Sequence, residues 1–137
     1  MAEATHVVVH DACRCLVPYT DVDALLEEAE KQPAVVLASP VRTPLLEVDE
    51  GGVPLAQRKA TEFMQLLTPQ VYRKDVFDEL AASKQEPHAS RLTIVKGSPL
   101  NVRIGGGGDA SMGKAFLNLL PKAKAKGPLT PFDEAQW

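Results

Sequence analysis

The segment GGGGDASMGKAF, residues 105–116, contains residues that could hold a phosphate group. Gly108, four further residues and then the pair Gly113-Lys114 reproduce the spacing of the loop that cradles nucleotide phosphates in P-loop proteins. That motif ends in Ser or Thr, whose hydroxyl binds Mg²⁺, whereas this sequence has Ala115. No later strand is predicted that could supply a metal-binding Asp. We therefore interpret the glycines as a turn and Asp109 as the N-cap of a last helix.

Cys13 and Cys15, at C-x-C spacing close to His10, could bind a metal or take part in redox chemistry. A structural zinc site usually takes four ligands, and the sequence has no second cysteine pair. We interpret both side chains as reduced thiols of a cytoplasmic protein, because disulfides are rare in that compartment. A metal or redox role stays a third functional hypothesis with few converging ligands.

The composition is that of one globular domain without a strong charge bias. The chain has 137 residues, of which 45% are hydrophobic and 24% charged, and its formal net charge is −3. The sequence has no excess of basic residues that would favour binding to nucleic-acid phosphates. Its longest apolar run is far shorter than the roughly 20 residues that span a bilayer. MAEATH is followed by a strand-like run, which does not resemble a signal peptide. We expect a cytoplasmic protein that binds neither nucleic acid nor membranes.

The first part of the chain is predicted to alternate strand, helix and strand. VVVHDA and PAVVLASP, residues 7–12 and 33–40, are short apolar runs typical of buried strands. The segment YTDVDALLEEAEKQ between them is amphipathic, with Thr20 or Asp21 as the predicted N-cap. Its predicted apolar face consists of Val22, Leu25, Leu26 and Ala29. The strand–helix–strand order predicts parallel pairing, with helices on the faces of the sheet.

The middle of the chain is predicted to protrude as a β-arm. Residues 41–65 alternate apolar and charged side chains around the turn sequence DEGG, which is typical of a hairpin. We then expect a short strand over 64–70, an amphipathic helix over 71–84, a strand over 91–97 and another over 101–104. The domain is predicted to occupy residues 1–121, with the arm at about 41–65 and a loose polar tail over 122–137.

Three separated segments resemble the 2-C-methyl-D-erythritol 4-phosphate cytidylyltransferase family. VVVHDACRCLVPYTDVDALLEEA resembles the family's V-H-D-A-x-R-P segment and the helix after it. LLTPQVYRKDVFDEL is similar to its T-P-Q-x-[FY] segment and helix, and IVKGSPLNVRI to its V-x-G-x-x-x-N-I-K-[IV] strand pair. The order of the segments and the arm before T-P-Q also match, so the resemblance covers nearly all of residues 7–120.

The resemblance implies a fold, an activity and partners. The implied fold is α/β, a partial Rossmann-like nucleotidyltransferase sheet with flanking helices and a protruding β-arm. The implied activity is transfer of CMP from CTP to a sugar-alcohol phosphate, 2-C-methyl-D-erythritol 4-phosphate, in isoprenoid biosynthesis, with Mg²⁺ as cofactor. The arm is implied to form a homodimer and to contribute residues to the partner's substrate site.

Five residues match positions of the family's site, and their roles are those that the resemblance implies. Asp11 would stand at the carboxyl end of a central strand as a catalytic residue and candidate Mg²⁺ ligand, with Ala12 against the nucleotide. Arg14 would face the acceptor's phosphate or a hydroxyl, and Thr68 would touch the acceptor. Arg103 would replace the catalytic Lys of N-I-K, keeping the charge but changing the shape of the donor.

Structural roles for these side chains stay open at the level of sequence. Asp11 could cap the following turn, and Arg14 could form a surface ion pair. His10 could be a packed histidine at the end of a strand. Thr68-Pro69-Gln70 could be no more than the boundary between a strand and a helix.

The sequence departs from the family pattern most where the nucleotide would bind. The family begins with a strand and a Gly-rich basic loop, L-A-A-G-x-G-x-R-[ML], that wraps the CTP triphosphate, and this sequence has no such segment. Catalysis of phosphoryl transfer depends mainly on orientation and charge neutralisation, which this loop would supply. We therefore expect poor or no cytidylyl transfer by this chain alone. Leu100 stands where the family often has an acidic residue before N-I-K, and Thr43-Pro44 stands in place of the Asp-Thr pair of the arm. Residues 87–90 are a shortened form of the family's T-D-[DE]-A-S segment, and the helix that follows it in the family is missing.

The same departure predicts an open edge of the sheet. In the family, the first strand lies beside the V-H-D strand, so without it residues 7–9 would pair on one side only. We expect this edge to be filled by a second copy, by a separate amino-terminal polypeptide or by rearrangement. The alternative to an enzyme is a non-catalytic module that keeps the fold for dimerisation or for holding a phosphate-bearing ligand.

Overall fold

A four-stranded mixed sheet forms the body of the protein in this computed structural model, which describes residues 3–122. A separate two-stranded hairpin forms the arm. The strands are β1 His6–Val9, β2 Ala34–Pro40, β3 Leu45–Val48, β4 Pro54–Arg58, β5 Met64–Arg73 and β6 Thr93–Lys96. The helices are α1 Tyr19–Ala29, α2 Lys74–Ser83 and α3 Gly107–Leu117, with short 3-10 turns at Ala60–Glu62 and Ala89–Arg91.

The strand order in the sheet is β1-β5-β2-β6. β5 is antiparallel to both of its neighbours, so Val71 lies opposite Val8 on one side and Val35 on the other. β2 and β6 pair in parallel, with Leu37 opposite Val95. The predicted parallel pairing of the first two strands is therefore wrong, because β5, from much later in the chain, lies between them.

β1 forms one edge of the sheet in the described part of the chain. Its only strand partner there is β5, and Val8 and Val9 remain 55% and 38% exposed. The predicted one-sided pairing of residues 7–9 is confirmed for the described residues. The resemblance implied that Asp11 follows a central strand. Within the described residues this is wrong, because β1 is an edge strand and no second strand flanks it.

Apolar side chains pack against both faces of the sheet. Neighbouring residues of a strand point to opposite faces of the sheet. Val35 and Leu37 therefore pack on the face covered by α1, and Ala34 and Val36 pack on the face covered by α2. The first cluster consists of Leu25, Ala29, Val35, Leu37, Leu67 and Val71. The second consists of Ala34, Val36, Tyr72 and Val76, with Phe77, Leu80 and Leu92 partly buried against it. The core is thus built mainly from aliphatic residues.

The predicted buried face of α1 is partly wrong. Leu25 and Ala29 are buried, but Leu26 is 46% exposed. Residues four apart lie on the same ridge of a helix, whereas the residue next to Leu25 is turned well away from it. The helix therefore contacts the sheet along a narrow ridge.

The predicted hairpin in the arm is confirmed. β3 and β4 are antiparallel, with Leu46 opposite Gln57, and Gly52 in the turn has a positive φ of 80°. Asp49 Oδ1 accepts hydrogen bonds from the backbone N–H groups of Gly51 at 2.9 Å and of Val53 at 2.8 Å. An Asp side chain that bonds to its own turn, followed by a glycine, is what the DEGG sequence predicts.

The predicted boundary between strand and helix after Gln70 is wrong. β5 continues to Arg73, and α2 begins only at Lys74. Val71 and Tyr72 are buried in the sheet, so tertiary packing overrides the helical periodicity of this segment. Thr68-Pro69-Gln70 therefore lies inside a strand, with a cis peptide bond between Thr68 and Pro69.

Two further sequence-based expectations about elements fail near the carboxyl end. Residues 101–104 form no strand, and Ile104 makes a single hydrogen bond from its backbone N–H to Cys13 O at 2.8 Å. α3 begins at Gly107 with Gly106 as the N-cap, so Asp109 lies in the first turn instead of capping it. There its Oδ2 accepts the N–H of Gly105 at 2.9 Å, which still satisfies a donor before the helix.

α1 also begins without the predicted cap. Its N-cap is Pro18, and neither Thr20 nor Asp21 supplies a side-chain cap. Asp21 Oδ2 instead accepts the backbone N–H of Ser98 at 2.7 Å, which ties α1 to the loop after β6. Apart from Lys122, the predicted loose tail lies outside the described residues. Within those residues, no helix has both the length and the apolar character needed to cross a membrane.

Gly97, directly after β6, lies too close to the core to accept a side chain. A Cβ at this position would lie 2.7 Å from Leu67 Cδ1. We expect Gly97→Ala to lower the free energy of unfolding by about 1–3 kcal/mol, because a buried side chain must move to make room. Urea unfolding measures the change. Gly108→Ala is the matched control, since a Cβ there meets nothing within 4 Å and Gly108 lies inside α3, and equal stability of the two variants would contradict the packing.

Candidate functional site

Asp11 lies in the turn after β1, where distant segments of the chain meet. Its Oδ1 accepts the backbone N–H of Cys13 at 2.9 Å, which is the turn-capping role that the sequence left open. Its Oδ2 accepts the Nε–H of Arg103 at 3.0 Å, so the two form an ion pair. The carboxylate therefore stabilises its own turn and also binds a cation from the other end of the domain.

The pKa of the Asp11 carboxyl lies below its ordinary value. The largest cause is the Cys13 N–H, which donates to the charged form, and the Arg103 guanidinium contributes further through its hydrogen bond and its charge. Partial desolvation acts in the opposite direction. The same pairing raises the pKa of Arg103, so both groups are ionised near neutral pH. The side chain of Arg103 is 58% exposed and that of Asp11 is 32% exposed. Because solvent screens the two charges, the ion pair contributes little to stability.

Thr68, in β5, connects the Asp11 turn to the sheet. Its Oγ1 accepts the backbone N–H of Asp11 at 3.0 Å and lies 3.1 Å from His10 Nδ1. His10 is exposed, so its interpretation as a packed strand-end histidine is wrong. Because β1 is at the edge of the described sheet, the imidazole meets the Thr68 hydroxyl and solvent instead of a core.

Arg14 is the buried cation of this region and is only 9% exposed. Its backbone N–H donates to Asp11 O at 2.9 Å, and its Nη1 donates to the backbone O of Asn101 at 2.8 Å. The alternative of a surface ion pair is wrong, since the side chain is buried and pairs with no carboxylate of residues 3–122. A buried guanidinium without a carboxylate is costly, and an oxyanion would offset that cost.

Asn101 links these groups, and sequence reasoning missed it. It is 2% exposed, and its Nδ2 donates to the backbone O of Thr68 at 2.8 Å while its own backbone O accepts from Arg14. Its Oδ1 is buried without a hydrogen-bond partner among the described residues. The available signal was its place in the N-V-R segment, two residues before Arg103.

An open cleft of about 1100 Å³ lies beside Arg103, at the carboxyl ends of β2 and β6 and the base of the arm. Ligands bind at the carboxyl ends of strands in sheets of this kind. The polar part of its lining consists of Arg42, Lys96, Arg103, Ser39, Thr43, Ser98, Gln65 and Asn101. Asp11, Ala12, Arg14 and Thr68 are not among its lining residues. Ala12 is exposed in the Asp11 turn.

The described residues do not form a metal site by themselves. Within residues 3–122, no three His, Cys, Asp or Glu side chains come together where they could hold a metal ion, and Cys13 and Cys15 are free thiols. Both oxygens of Asp11 already accept hydrogen bonds, one of them from Arg103, whose charge opposes a second cation close by. Asp11 is thus poorly suited to hold Mg²⁺ on its own.

The sheet, the arm and the polar groups beyond the strand ends define a protein with the nucleotidyltransferase fold. The crystal structure of 2-C-methyl-D-erythritol 4-phosphate cytidylyltransferase from Thermus thermophilus matches with a TM-score of 0.70 and 22% identity, over 85% of this chain and 64% of that one. A crystal structure of 4-diphosphocytidyl-2C-methyl-D-erythritol synthase matches with a TM-score of 0.69 and 25% identity, over 82% of this chain and 56% of that one.

The chain belongs to the 2-C-methyl-D-erythritol 4-phosphate cytidylyltransferase family, because the model of that family matches residues 1–118. The enzyme of that name from Bacillus pumilus is 26% identical over 131 residues, covering 85% of this chain and 56% of its own length. The one from Rhodopirellula baltica is 30% identical over 125 residues, covering 83% and 51%. The chain therefore spans about half the length of the curated relatives it matches. The resemblance drawn from three segments is confirmed.

The Asp11–Arg103 pair predicts a measurable change in titration. We expect Arg103→Gln to raise the pKa of Asp11, although not to its ordinary value, because the Cys13 N–H remains. A carboxyl pKa that is depressed in the folded state favours folding above the unfolded pKa, and this contribution is lost as pH falls through the folded pKa. Arg103→Gln should therefore lose this contribution to folding stability at a higher pH than the parent chain does.

The pKa of Asp11 can be followed by ¹³C NMR of its carboxyl group across the acid range. Arg91→Gln is the matched control, because Arg91 pairs with Glu79 and does not contact Asp11. An Asp11 titration midpoint that is the same in Arg103→Gln and in the parent chain would show that the ion pair does not form in solution.

Proposed function

We propose that this chain provides the acceptor half of a cytidylyltransferase site and binds a sugar-alcohol phosphate in the cleft beside Arg103. The reaction proposed for the complete site is transfer of CMP from CTP to 2-C-methyl-D-erythritol 4-phosphate. An oxygen of the acceptor's phosphate forms a bond to the α-phosphorus of CTP, and the bond from that phosphorus to the departing pyrophosphate breaks. Family membership supports the reaction, and the cleft supports the acceptor.

The observation that carries the proposal is the charge of the cleft. The chain has a net charge of −3, yet the residues lining the cleft include Arg42, Lys96 and Arg103 and no Asp or Glu. Arg42 and Lys96 form no ion pair with any described residue. A cleft of one charge sign attracts ligands of the opposite sign, and phosphate is the anion that such donors bind well.

The rest of the lining fits the carbon part of such a ligand. Apolar side chains from the arm and from β5 line the side near the arm, among them Leu45, Phe63 and Met64. Concave sites that combine apolar walls with a few placed polar groups are typical of small-molecule binding. A phosphate on a short carbon skeleton satisfies both parts of the lining, whereas inorganic phosphate would use only the cations.

Each predicted site residue has a place in this proposal. Arg103 holds the acceptor's phosphate and is itself oriented by Asp11, which is ionised near neutral pH. Thr68 fixes the Asp11 turn, and Arg14 adds a buried positive charge behind it. Ala12, exposed in the same turn, would face the nucleotide. Positioning and charge neutralisation of this kind are the main contributions of proteins to phosphoryl-group transfer.

Transfer requires more than the acceptor half. The sequence contains no counterpart of the Gly-rich basic loop that the family resemblance assigns to the CTP triphosphate. We propose that acceptor binding does not need this loop but that transfer does, so this chain alone is a poor or inactive enzyme. Mg²⁺ would enter with the triphosphate, because the described residues offer no metal site of their own.

A second candidate function is assembly through the arm and the sheet edge. The hairpin exposes several large apolar side chains: Leu46 at 58%, Val48 at 48%, Val53 at 57% and Leu55 at 61%. Exposed apolar clusters on a soluble protein commonly mark interfaces. We propose a homodimer through the arm, and we propose that the edge of β1, which is unpaired within residues 3–122, accepts a strand from a separate amino-terminal half.

Calorimetric titration with 2-C-methyl-D-erythritol 4-phosphate tests the acceptor site. We expect the chain to bind this compound and Lys96→Met to weaken binding about tenfold, because a charged donor to phosphate is lost. Lys31→Met is the matched control, since Lys31 on α1 pairs with Glu27 and Glu28 and does not line the cleft. No binding by the parent chain, or equal weakening in both variants, would refute the proposed site.

The same titration with CTP and Mg²⁺ separates the half site from a complete one. We expect no measurable CTP binding by this chain under conditions in which the acceptor binds, because the triphosphate loop is missing from the sequence. Binding of CTP together with turnover would instead show that a nucleotide site exists without that loop, and the half-site account would be wrong.

Sedimentation velocity tests assembly through the arm. We expect the parent chain to sediment as a dimer and Leu55→Asp to shift it toward the monomer, because a charge is placed in the apolar surface of the hairpin. Leu119→Asp is the control, since Leu119 is 63% exposed but lies outside the arm. A parent chain that stays monomeric at micromolar concentration would exclude the arm as a dimer interface.

A further inference from the structure

Asn101 carries a hydrogen-bond acceptor that no other residue in the described part of the chain uses. Its backbone N–H donates to Ser98 O at 3.1 Å, its backbone O accepts from Arg14, and its Nδ2 donates to Thr68 O. Among residues 3–122, only Oδ1 is without a partner, although Asn101 is 2% exposed and such an acceptor costs free energy when it stays unsatisfied. The amide cannot be reversed to solve this, because Oδ1 would then face the Thr68 carbonyl oxygen, and neither atom is a donor.

The position of Asn101 connects this acceptor to the ligand cleft. Asn101 lines the cleft together with Lys96, Ser98 and Arg103. The cations there only donate hydrogen bonds, and an ionised phosphate only accepts them. A phosphate therefore matches Lys96 and Arg103 but offers nothing to Asn101 Oδ1, whereas a hydroxyl group can donate to it.

We propose that Asn101 is a specificity-determining residue, whose Oδ1 accepts a hydrogen bond from a hydroxyl of a polyol phosphate held by the cleft cations. The inference rests on the proposed function and adds the group that distinguishes a polyol phosphate from other phosphate esters. Because Oδ1 is buried, the proposal requires the loop of residues 98–103 to open toward the ligand when it binds. A site that holds a hydroxyl in this way discriminates against analogues that lack it.

The test compares two phosphate esters with the same four-carbon skeleton. Erythritol 4-phosphate carries hydroxyl groups, and n-butyl phosphate carries none. By calorimetry, we expect the parent chain to bind the polyol ester about tenfold more tightly than the alkyl ester. In Asn101→Ala, this ratio should fall to about one. The ratio is the readout, and not the absolute affinity, because the variant also loses the bond from Nδ2 to Thr68 O that holds the loop carrying Arg103.

Two further variants separate the acceptor from general effects on folding. Asn101→Gln keeps an amide, with both a donor for Thr68 O and an oxygen acceptor, and should keep the preference for the polyol ester even if the longer side chain weakens the binding of both esters. Val102→Ala alters the neighbouring cleft residue and should leave the ratio unchanged. If Asn101→Ala does not fold, the ratios measured for the parent chain and for Asn101→Gln test the proposal.

The outcomes distinguish this inference from the proposed function. Equal affinity of the parent chain for both esters, or an unchanged ratio in Asn101→Ala, would overturn the role of Asn101 while leaving the phosphate cleft in place. Failure of every phosphate compound to bind would overturn the proposed function and this inference with it. A ratio that is lost in Asn101→Ala and kept in Asn101→Gln supports the proposal.

Discussion

The hydrogen bond from Asn101 Nδ2 to the Thr68 carbonyl is the contact on which the site depends. It fixes the loop after β6 against β5, and Thr68 Oγ1 in turn holds the backbone N–H of Asp11. The loop then brings Arg103 back to the Asp11 carboxylate, which closes a ring through three segments that are far apart in sequence. Each bond alone contributes modestly to stability, but together they hold the carboxylate, the hydroxyl and the cation close to one another.

The sheet makes this ring possible because β5 lies between β1 and β2. An antiparallel strand in that place brings Thr68 beside the end of β1, and the parallel pair of β2 and β6 opens the cleft at its carboxyl ends. The arm leaves the sheet at the rim of the same cleft. The described part of the fold therefore concentrates positive charge and apolar surface on one side, while the edge of β1 remains available for pairing.

Local sequence patterns identified much of this arrangement, and long-range packing determined the rest. The DEGG turn and the apolar run of β2 are local signals, and the V-H-D-A, T-P-Q and N-V-R segments predict Asp11, Arg14, Thr68 and Arg103 as site residues. The extension of β5 through Tyr72 carried no local signal, since burial between two strands overrode a helical pattern. Asn101 was likewise not predicted as a site residue, because its role depends on contacts with Arg14 and Thr68 that form only in the folded chain.

The central claim is that the cationic cleft beside this ring binds a polyol phosphate. Chemical-shift mapping of ¹⁵N-labelled protein during titration with 2-C-methyl-D-erythritol 4-phosphate tests it most directly. The account predicts saturable shifts concentrated at Thr43, Lys96, Asn101 and Arg103, including the Arg103 Nε–H resonance that reports on its bond to Asp11. Shifts confined to α2 or to the outer arm, with the resonances of Lys96, Asn101 and Arg103 unmoved at saturation, would contradict it.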